Sequence, residues 1–81
     1  MLLVSGQEYS GTKRVAGTLQ EVVTQTTLNS GTAKFYIRDV DNPAWSFVVD
    51  LTDVPDSIRV PYTGFYKVET TGSATVYGEW S

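Results

Sequence analysis

The residues that could do chemistry in this sequence are its carboxylates, because the chain contains no histidine and no cysteine. Five of the nine acidic residues fall between positions 39 and 56, beginning in the segment RDVDNP (38–43). Clustered carboxylate, amide and carbonyl oxygens are the ligands that Ca²⁺ prefers, so a calcium loop is one interpretation. The Asp-x-Asp-x-Asp-Gly pattern with its distal Glu is absent, however, and Asp and Asn also fold turns by hydrogen bonding to their own backbone. We therefore interpret these aspartates as turn residues and predict no metal site.

Catalysis finds little support in the remaining residue types. A Ser–His or Cys–His pair requires a base that this sequence lacks. Glycoside hydrolysis needs only two carboxylates, but a domain of 81 residues has little room for the concave, water-excluding site that would raise the pKa of one of them. The seven glycines are scattered and no helical pattern follows any of them, which argues against a phosphate-binding loop. We expect a protein without enzymatic activity and without a cofactor.

Aromatic side chains are the second group that could carry a function. Tryptophan and tyrosine rings could form a platform on which sugar rings stack, as in carbohydrate-binding β-sandwiches; the candidates are Tyr9, Tyr36, Trp45, Tyr62, Tyr66, Tyr77 and Trp80. The alternative is a place in the core or in cross-strand pairs, which stabilise a sheet by roughly 0.2–1 kcal/mol each; we assign this role to Phe35, Phe47, Phe65 and Tyr66. For Trp80 two interpretations stay open, because the ring could cap its own core or pack on a neighbouring subunit.

Composition restricts the partners of the chain. Its net charge is −3, and only six basic residues are present, whereas nucleic-acid binding draws most of its affinity from Lys and Arg at phosphates. The start, MLLVSGQEYS, has no basic region and too short an apolar run for a signal peptide or a membrane span. We expect no nucleic-acid partner, no membrane partner and no export signal. A domain this small buries only about 60–65% of its unfolded surface. We expect two compensations together: a well-packed core, because 41% of the residues are hydrophobic, and association with other subunits.

Alternation of apolar and polar residues, and not a helical period, runs through the chain. It predicts a first strand at LLV (2–4), a long strand at 19–28 with threonine on its solvent side, and a return strand at 33–40 after the hairpin turn NSGT (29–32). Gly17 is predicted to mark a bulge. The segment DNPA (41–44) is predicted to be a second turn, because Asn before Pro favours turn initiation.

The second half of the chain repeats this pattern. In WSFVVDLT (45–52), Trp45, Phe47, Val49 and Leu51 are expected to share one face. A short strand at 58–60 precedes Pro61, and a last hairpin joins 64–71 to 74–80 around TGS. The predicted fold is all-β: a single domain over 1–81, a small antiparallel β-sandwich or reduced jelly roll of about six to seven short strands. Residues 1–12 are expected to form a flexible or partner-contacting N-terminal arm.

The segment VPYTGFYKVE (60–69) has the form Pro-x-x-Gly-x-Tyr-x-Val. Pro61 would end one strand, Gly64 would permit a tight re-entry, and Phe65, Tyr66 and Val68 would begin the next strand. This segment resembles the crossover of tumour-necrosis-factor-like jelly rolls and motifs of small β-domains in bacteriophage fibres and capsid-decorating proteins. An immunoglobulin-like sandwich, with Val68 in place of the cysteine in Gly-x-Tyr-x-Cys, would explain it nearly as well. The resemblance covers about residues 58–78.

The resemblance to phage structural proteins implies a function without catalysis. It implies a virion protein, assembled in the host cytoplasm, that decorates or cements a capsid by contacts with the major capsid protein and with its own copies, often as a trimer. Chain ends commonly make such contacts, which would give this role to Leu2, Leu3 and Trp80. The alternative is a carbohydrate- or surface-binding β-sandwich module of the fibre or adhesion type, using Trp45, Tyr62 or Trp80.

Overall fold

The computed structural model describes residues 1–11, 20–53, 55–60 and 64–80, of which Gln20, Val60 and Trp80 are described by their backbone alone. Those ranges form eight β-strands and no helix. The strands are β1 (Leu2–Leu3), β2 (Tyr9–Gly11), β3 (Gln20–Thr27), β4 (Thr32–Asp39), β5 (Ser46–Leu51), β6 (Asp56–Val60), β7 (Gly64–Thr71) and β8 (Thr75–Trp80). Alternating burial along β4 and β7 shows that each strand turns one face inward and one outward.

The strands form two four-stranded antiparallel sheets. We call the sheet with the order β1-β8-β3-β6 sheet A, and the sheet with the order β2-β7-β4-β5 sheet B. The strands pair from the chain ends inward: β1 with β8, β2 with β7, β3 with β6, and β4 with β5. Two further pairings, β3 with β8 and β4 with β7, join these pairs within their sheets.

This nested order is that of a jelly roll, in which eight strands are divided between two packed sheets. The predicted fold class, a small antiparallel β-sandwich or jelly roll, is therefore confirmed. The described chain contains eight strands instead of the predicted six to seven; the strand that was not predicted is β2, which is only three residues long. The crossover predicted from VPYTGFYKVE joins β6 of sheet A to β7 of sheet B, although its Pro61 lies outside the described residues, as does the bulge predicted at Gly17.

Both predicted hairpins, at NSGT and around TGS, are wrong, although their turns exist. At NSGT, Asn29 and Ser30 have φ angles of 46° and 69°, and the Gly31 N–H donates to the Leu28 carbonyl at 2.8 Å. The strands on either side, β3 and β4, nevertheless belong to different sheets, and so do β7 and β8 around TGS. Only the turn at DNPA joins hydrogen-bonded neighbours, β4 and β5. A turn signal fixes a change of direction but does not say which sheet the next strand enters.

Residues 1–11, which were expected to belong to a flexible or partner-contacting arm, instead contribute a strand to each sheet. Leu3 pairs with Val76 and is only 2% exposed. Gly78 makes room for it: a Cβ at position 78 would lie 2.8 Å from the Leu3 Cδ1 atom and 3.3 Å from a methyl carbon of Val22. Burial of the leucine side chain in this space contributes roughly 1.5–3 kcal/mol. This packing, together with the pairing of β2 with β7, holds residues 1–11 to the sandwich.

A stack of three aromatic rings lies at the centre of the inner face of sheet B. Tyr66 stands between Tyr9 and Phe35, with ring centroids 5.4 Å apart on each side and interplanar angles of 17° and 12°. Tyr66 and Phe35 are 1% and 0% exposed. Aromatic pairs of this kind stabilise a protein by about 0.5–1.5 kcal/mol beyond the area they bury. The core role assigned to Phe35 and Tyr66 is thus confirmed, and Tyr9 and Tyr66 are not part of an exposed platform.

The expected solvent-facing threonines of β3 are instead partly in the core. Thr24 and Thr26 are 0% and 1% exposed, on the same inner face as Val22, whereas Val23 points outward with 38% of its surface exposed. Neither buried hydroxyl has a hydrogen-bond partner among the residues that the structure describes. Buried hydroxyls without partners are rare, because burial removes the hydrogen bonds that water would make. Their presence makes the inner face of sheet A less stable than a fully apolar face would be.

We predict that Thr24→Val stabilises the protein by about 1–2 kcal/mol, because valine has nearly the shape of threonine but no hydroxyl to desolvate. In a domain of this size, each kcal/mol of added stability raises the Tm by roughly 4–8 °C. Thermal unfolding followed by circular dichroism measures it. Thr27→Val, at an exposed position of the same strand, is the matched control and should change stability by less than about 0.5 kcal/mol. Equal effects of the two substitutions would contradict the prediction.

The ionisation of Tyr66 should limit stability in alkali. Burial, with smaller contributions from Tyr9 and Glu79, raises the pKa of Tyr66 from 10.0 to about 12. A folded-state pKa above the unfolded value gives stability that is complete below pH 10 and is lost as the pH rises from 10 to 12. We expect the free energy of unfolding in urea to fall by roughly 2–3 kcal/mol over that interval. In Tyr66→Phe this loss should be absent, so parallel pH profiles of the two proteins would contradict the assignment.

Candidate functional site

A bulge in β5 decides which aromatic residues reach the surface of sheet B. Phe35 and Tyr36 are consecutive in β4, but they pair with Val49 and Phe47, so Val48 is an extra residue in β5. The extra residue reverses the alternation. Leu51 and Val49 point inward, whereas Phe47, opposite the outward Tyr36, is 53% exposed. The prediction that Trp45, Phe47, Val49 and Leu51 share one face is therefore wrong, and Trp45 is on the outer side with Phe47.

The outer face of sheet B carries four aromatic rings interleaved with basic residues. We call this surface the aromatic face; its members are Lys34, Tyr36, Arg38, Trp45, Phe47, Phe65 and Lys67. Three of the four basic residues that the structure describes are in this set. Each has an acidic neighbour: Glu69 and Asp50 are paired in register with Lys34, Glu8 contacts Arg38, and Glu69 also contacts Lys67. The surface is therefore aromatic and charged without a large excess of either sign.

Arg38 holds the aromatic face together. Its Nε atom donates to Glu8 Oε1 at 2.8 Å, and its Nη2 atom donates to the same oxygen. Its Nη1 atom donates to the carbonyl oxygens of Asp39 and Asn42, both at 3.3 Å. The guanidinium carbon also lies 4.3 Å from the centroid of the Phe65 ring and 5.2 Å from that of Trp45. A planar guanidinium suits this combination of forked hydrogen bonds and ring contacts.

Lys67 and Phe47 continue the same arrangement across the sheet. The Lys67 Nζ atom lies 4.8 Å from the Trp45 ring centroid and 5.5 Å from that of Tyr36. Phe47 meets Tyr36 edge to face, with centroids 5.7 Å apart and planes at 69°. Favourable cation–ring contacts of this kind are worth about 0.5–1 kcal/mol at exposed sites. The rings and cations on this face therefore fix one another in position.

A cleft of about 400 Å³ lies at one end of the aromatic face. We call it the Trp45 cleft; it is lined by Glu8, Arg38, Val40, Asp41, Pro43 and Trp45. Residues of the turn between β4 and β5 form part of its lining. In this turn the Asn42 N–H donates to the Asp39 carbonyl at 3.2 Å, and the Asn42 side chain accepts the Ala44 N–H at 2.9 Å. This Asx-type turn confirms the interpretation of DNPA as a turn and fixes the residues on either side of the cleft.

A second exposed surface lies on sheet A, at the edge formed by β1. We call it the N-terminal edge; it consists of Met1, Leu2, Val4 and Tyr77, each about half exposed at 47–56%. Leu2 and Tyr77 are register partners on neighbouring strands. The Tyr9 hydroxyl accepts the Val4 N–H at 2.6 Å and donates to the Leu2 carbonyl at 3.4 Å. These bonds occupy two backbone groups, one in β1 and one directly after it, that an edge strand would otherwise offer to another strand.

The structure places the predicted contact residues in different environments. Leu2 is exposed on the N-terminal edge, but Leu3 is buried in the domain's own core and has no surface to offer a partner. Trp45 is half-buried in the aromatic face. Trp80 lies in β8 of sheet A, where its backbone pairs with Val22, and its side chain is outside the described part of the chain. Tyr62 is likewise outside the described residues.

Sequence reasoning missed Glu8, Arg38 and Asp41 as members of a site with Trp45. Glu8 and Arg38 are 30 positions apart, and the pairing of β2 and β4 with β7 brings them together. Only the turn signal at DNPA could have placed Asp41 close to Trp45, because Asp41 begins that turn and Trp45 directly follows it. No local pattern in the sequence predicts the contact between Glu8 and Arg38.

Comparisons with protein-family models, with curated proteins and with solved structures found no match to this chain. The described residues contain no group of three or more acidic, histidine or cysteine side chains placed to hold a metal ion. Within the same ranges, no helix is long and apolar enough to cross a membrane. The function must therefore be inferred from the two exposed surfaces, the aromatic face and the N-terminal edge.

We predict that Arg38→Lys destabilises the protein by about 1–2 kcal/mol. Lysine cannot reproduce the forked bonds to Glu8 and to two carbonyls, nor the flat contact with Phe65. Arg59→Lys is the matched control, because Arg59 is 72% exposed and forms one ion pair, with Glu21 at 3.1 Å. That change should stay within about 0.5 kcal/mol. Urea unfolding measures both, and similar losses in the two variants would show that Arg38 does not hold the face together.

Proposed function

We propose that this protein is a non-enzymatic structural protein of a virion, of the capsid-decorating or cement type, that works by binding neighbouring subunits. The observation that carries the proposal is the N-terminal edge, a group of half-exposed apolar side chains on one edge of a jelly roll. Small folded domains do not gain stability from such exposure, and grouped exposed apolar side chains are typical of protein–protein contacts. The support from the fold is by analogy, because one fold serves many functions.

The chemistry of the N-terminal edge favours an apolar contact. Leu2 is the register partner of Tyr77, and Met1 and Val4 follow closely along the same chain segment. Tyrosine is enriched at the centres of protein interfaces. Glu79 lies beside this surface: its carboxylate accepts a hydrogen bond from the charged amino group of Met1, and this bond lowers the pKa of Glu79. A contact here would bury the apolar groups while leaving that ion pair at its rim.

Two kinds of partner follow from this proposal. One is the major capsid protein, on whose lattice a decorating domain would sit. The other is a second copy of the chain, and a homotrimer is the assembly we favour. The Tyr9 hydroxyl occupies the backbone groups at the edge of β1, so we expect contacts through side chains and not through addition of a strand. Standard interfaces bury about 1,200–2,000 Å², which would require surface beyond the four residues of the edge.

We predict that the purified protein has a solution mass near three times 8.9 kDa by light scattering behind a sizing column. Leu2→Ser and Tyr77→Ser should shift it towards the monomer, because each removes an exposed apolar group from the proposed contact. Val48→Ser is the matched control: Val48 is 40% exposed on the other sheet and should leave the mass unchanged. A monomeric mass for the parent chain would contradict the trimer and the proposed use of the edge in self-association.

The virion assignment has its own test. Particles purified by density gradient from the source of this sequence should contain the chain in stoichiometric amounts, measured by quantitative mass spectrometry. Absence of the chain from such particles would contradict a structural role in the virion, whatever its solution mass.

A further inference from the structure

The Trp45 cleft has a chemistry that the proposed subunit contacts do not use. It lies on sheet B, whereas the N-terminal edge belongs to sheet A. It combines a half-buried indole ring, two carboxylates and a fixed guanidinium around about 400 Å³. That volume is at the small end of the range for ligand sites, about 300–1,000 Å³. The charges around the cleft narrow the class of ligand that it would take.

An anionic ligand does not suit this cleft. Glu8 and Asp41 contribute two negative charges and Arg38 one positive charge. Arg38 also makes four hydrogen bonds within the protein, out of the five N–H groups of a guanidinium. A carboxylate or phosphate would therefore meet two like charges and one largely occupied donor.

A cationic ligand is equally poorly placed. Its natural positions would be against the indole ring and between the carboxylates. Arg38 and Lys67 already lie 5.2 Å and 4.8 Å from the Trp45 ring centroid, and Arg38 neutralises Glu8. A third cation at this ring would be repelled by the two that are present.

We propose that the Trp45 cleft binds a neutral pyranose sugar. The exposed carboxylate of Asp41 and the second oxygen of Glu8 accept hydrogen bonds from hydroxyl groups, which sugars donate in pairs. The indole of Trp45 and the apolar side chains of Val40 and Pro43 contact the carbon-bound faces of the ring. The Asx turn and the bonds of Arg38 hold these groups before the ligand arrives, which lowers the entropic cost of binding.

The test is a titration of the uniformly ¹⁵N-labelled full chain with neutral methyl pyranosides of glucose, galactose, mannose and N-acetylglucosamine, followed by two-dimensional NMR. At least one should bind with a dissociation constant of about 1 mM, a weak affinity that suits an open site contacting one ring. The shifts should be concentrated at the Trp45 indole and at the amides of residues 40–45. Glucuronate and glucosamine, the anionic and cationic counterparts of glucose, should bind at least about fivefold more weakly.

Two substitutions locate the site. Trp45→Ala should weaken binding by about tenfold or more, because it removes the stacking surface. Val23→Ala is the control, since Val23 is 38% exposed on sheet A and belongs neither to the cleft nor to the aromatic face; it should bind as the parent does. Preserved dispersion of the NMR spectrum verifies that both variants are folded.

Three results would overturn the proposal. They are the absence of any saturable shift with all four neutral sugars up to about 50 mM, binding of a charged counterpart as tight as that of its neutral sugar, and unchanged affinity in Trp45→Ala. None of these results bears on the solution mass of the protein or on its presence in particles. The sugar site and the proposed structural role are therefore tested independently.

Discussion

Each strand of this domain has one face to bury, and so short a chain can bury those faces only by packing two sheets against each other. The strands pair from the ends of the chain inward, so that β1 meets β8 and only β4 and β5 form a local hairpin. Every other connection crosses between sheets. After each crossing, the next strand packs its apolar face against the same core from the opposite sheet. One cluster of apolar residues therefore forms the core between both sheets. The Tyr9–Tyr66–Phe35 stack lies where strands from both ends and from the middle of the chain meet.

That constraint explains why the N-terminal segment belongs to the sandwich. Without β1 and β2, the inner faces of β8 and β7 would lose a neighbour on one side. Leu3 fills the space that Gly78 leaves open, and Tyr9 completes the aromatic stack while its hydroxyl bonds to the backbone of β1. Two strands of only two and three residues thus close one side of the molecule, at a position where a longer unpaired edge would invite association.

Much of the fold could be predicted from the alternation of apolar residues, because a period of two reports directly on a half-buried strand. The strands at 20–27, 64–71 and 75–80 were predicted within a residue or two. Alternation does not tell which of the two sheets a strand joins. Hairpins were therefore predicted at NSGT and TGS, although each of these turns connects strands of different sheets. Alternation also cannot tell which face of a strand is buried when both faces carry similar residues. In EVVTQTT both faces carry valine and threonine, and the structure buries the face with Val22, Thr24 and Thr26.

The candidate site was less predictable than the fold because it depends on one irregular residue. In an unbroken strand, Trp45 and Phe47 would follow Leu51 into the core, and the aromatic face would lose two of its four rings. The extra residue Val48 reverses their direction and places Trp45 over Arg38 and Lys67. The same reversal separates the chemistry of the two outer surfaces, with rings and paired charges on sheet B and grouped apolar side chains on the N-terminal edge of sheet A. A domain that binds a subunit with one sheet would in this way keep the other free for a second ligand.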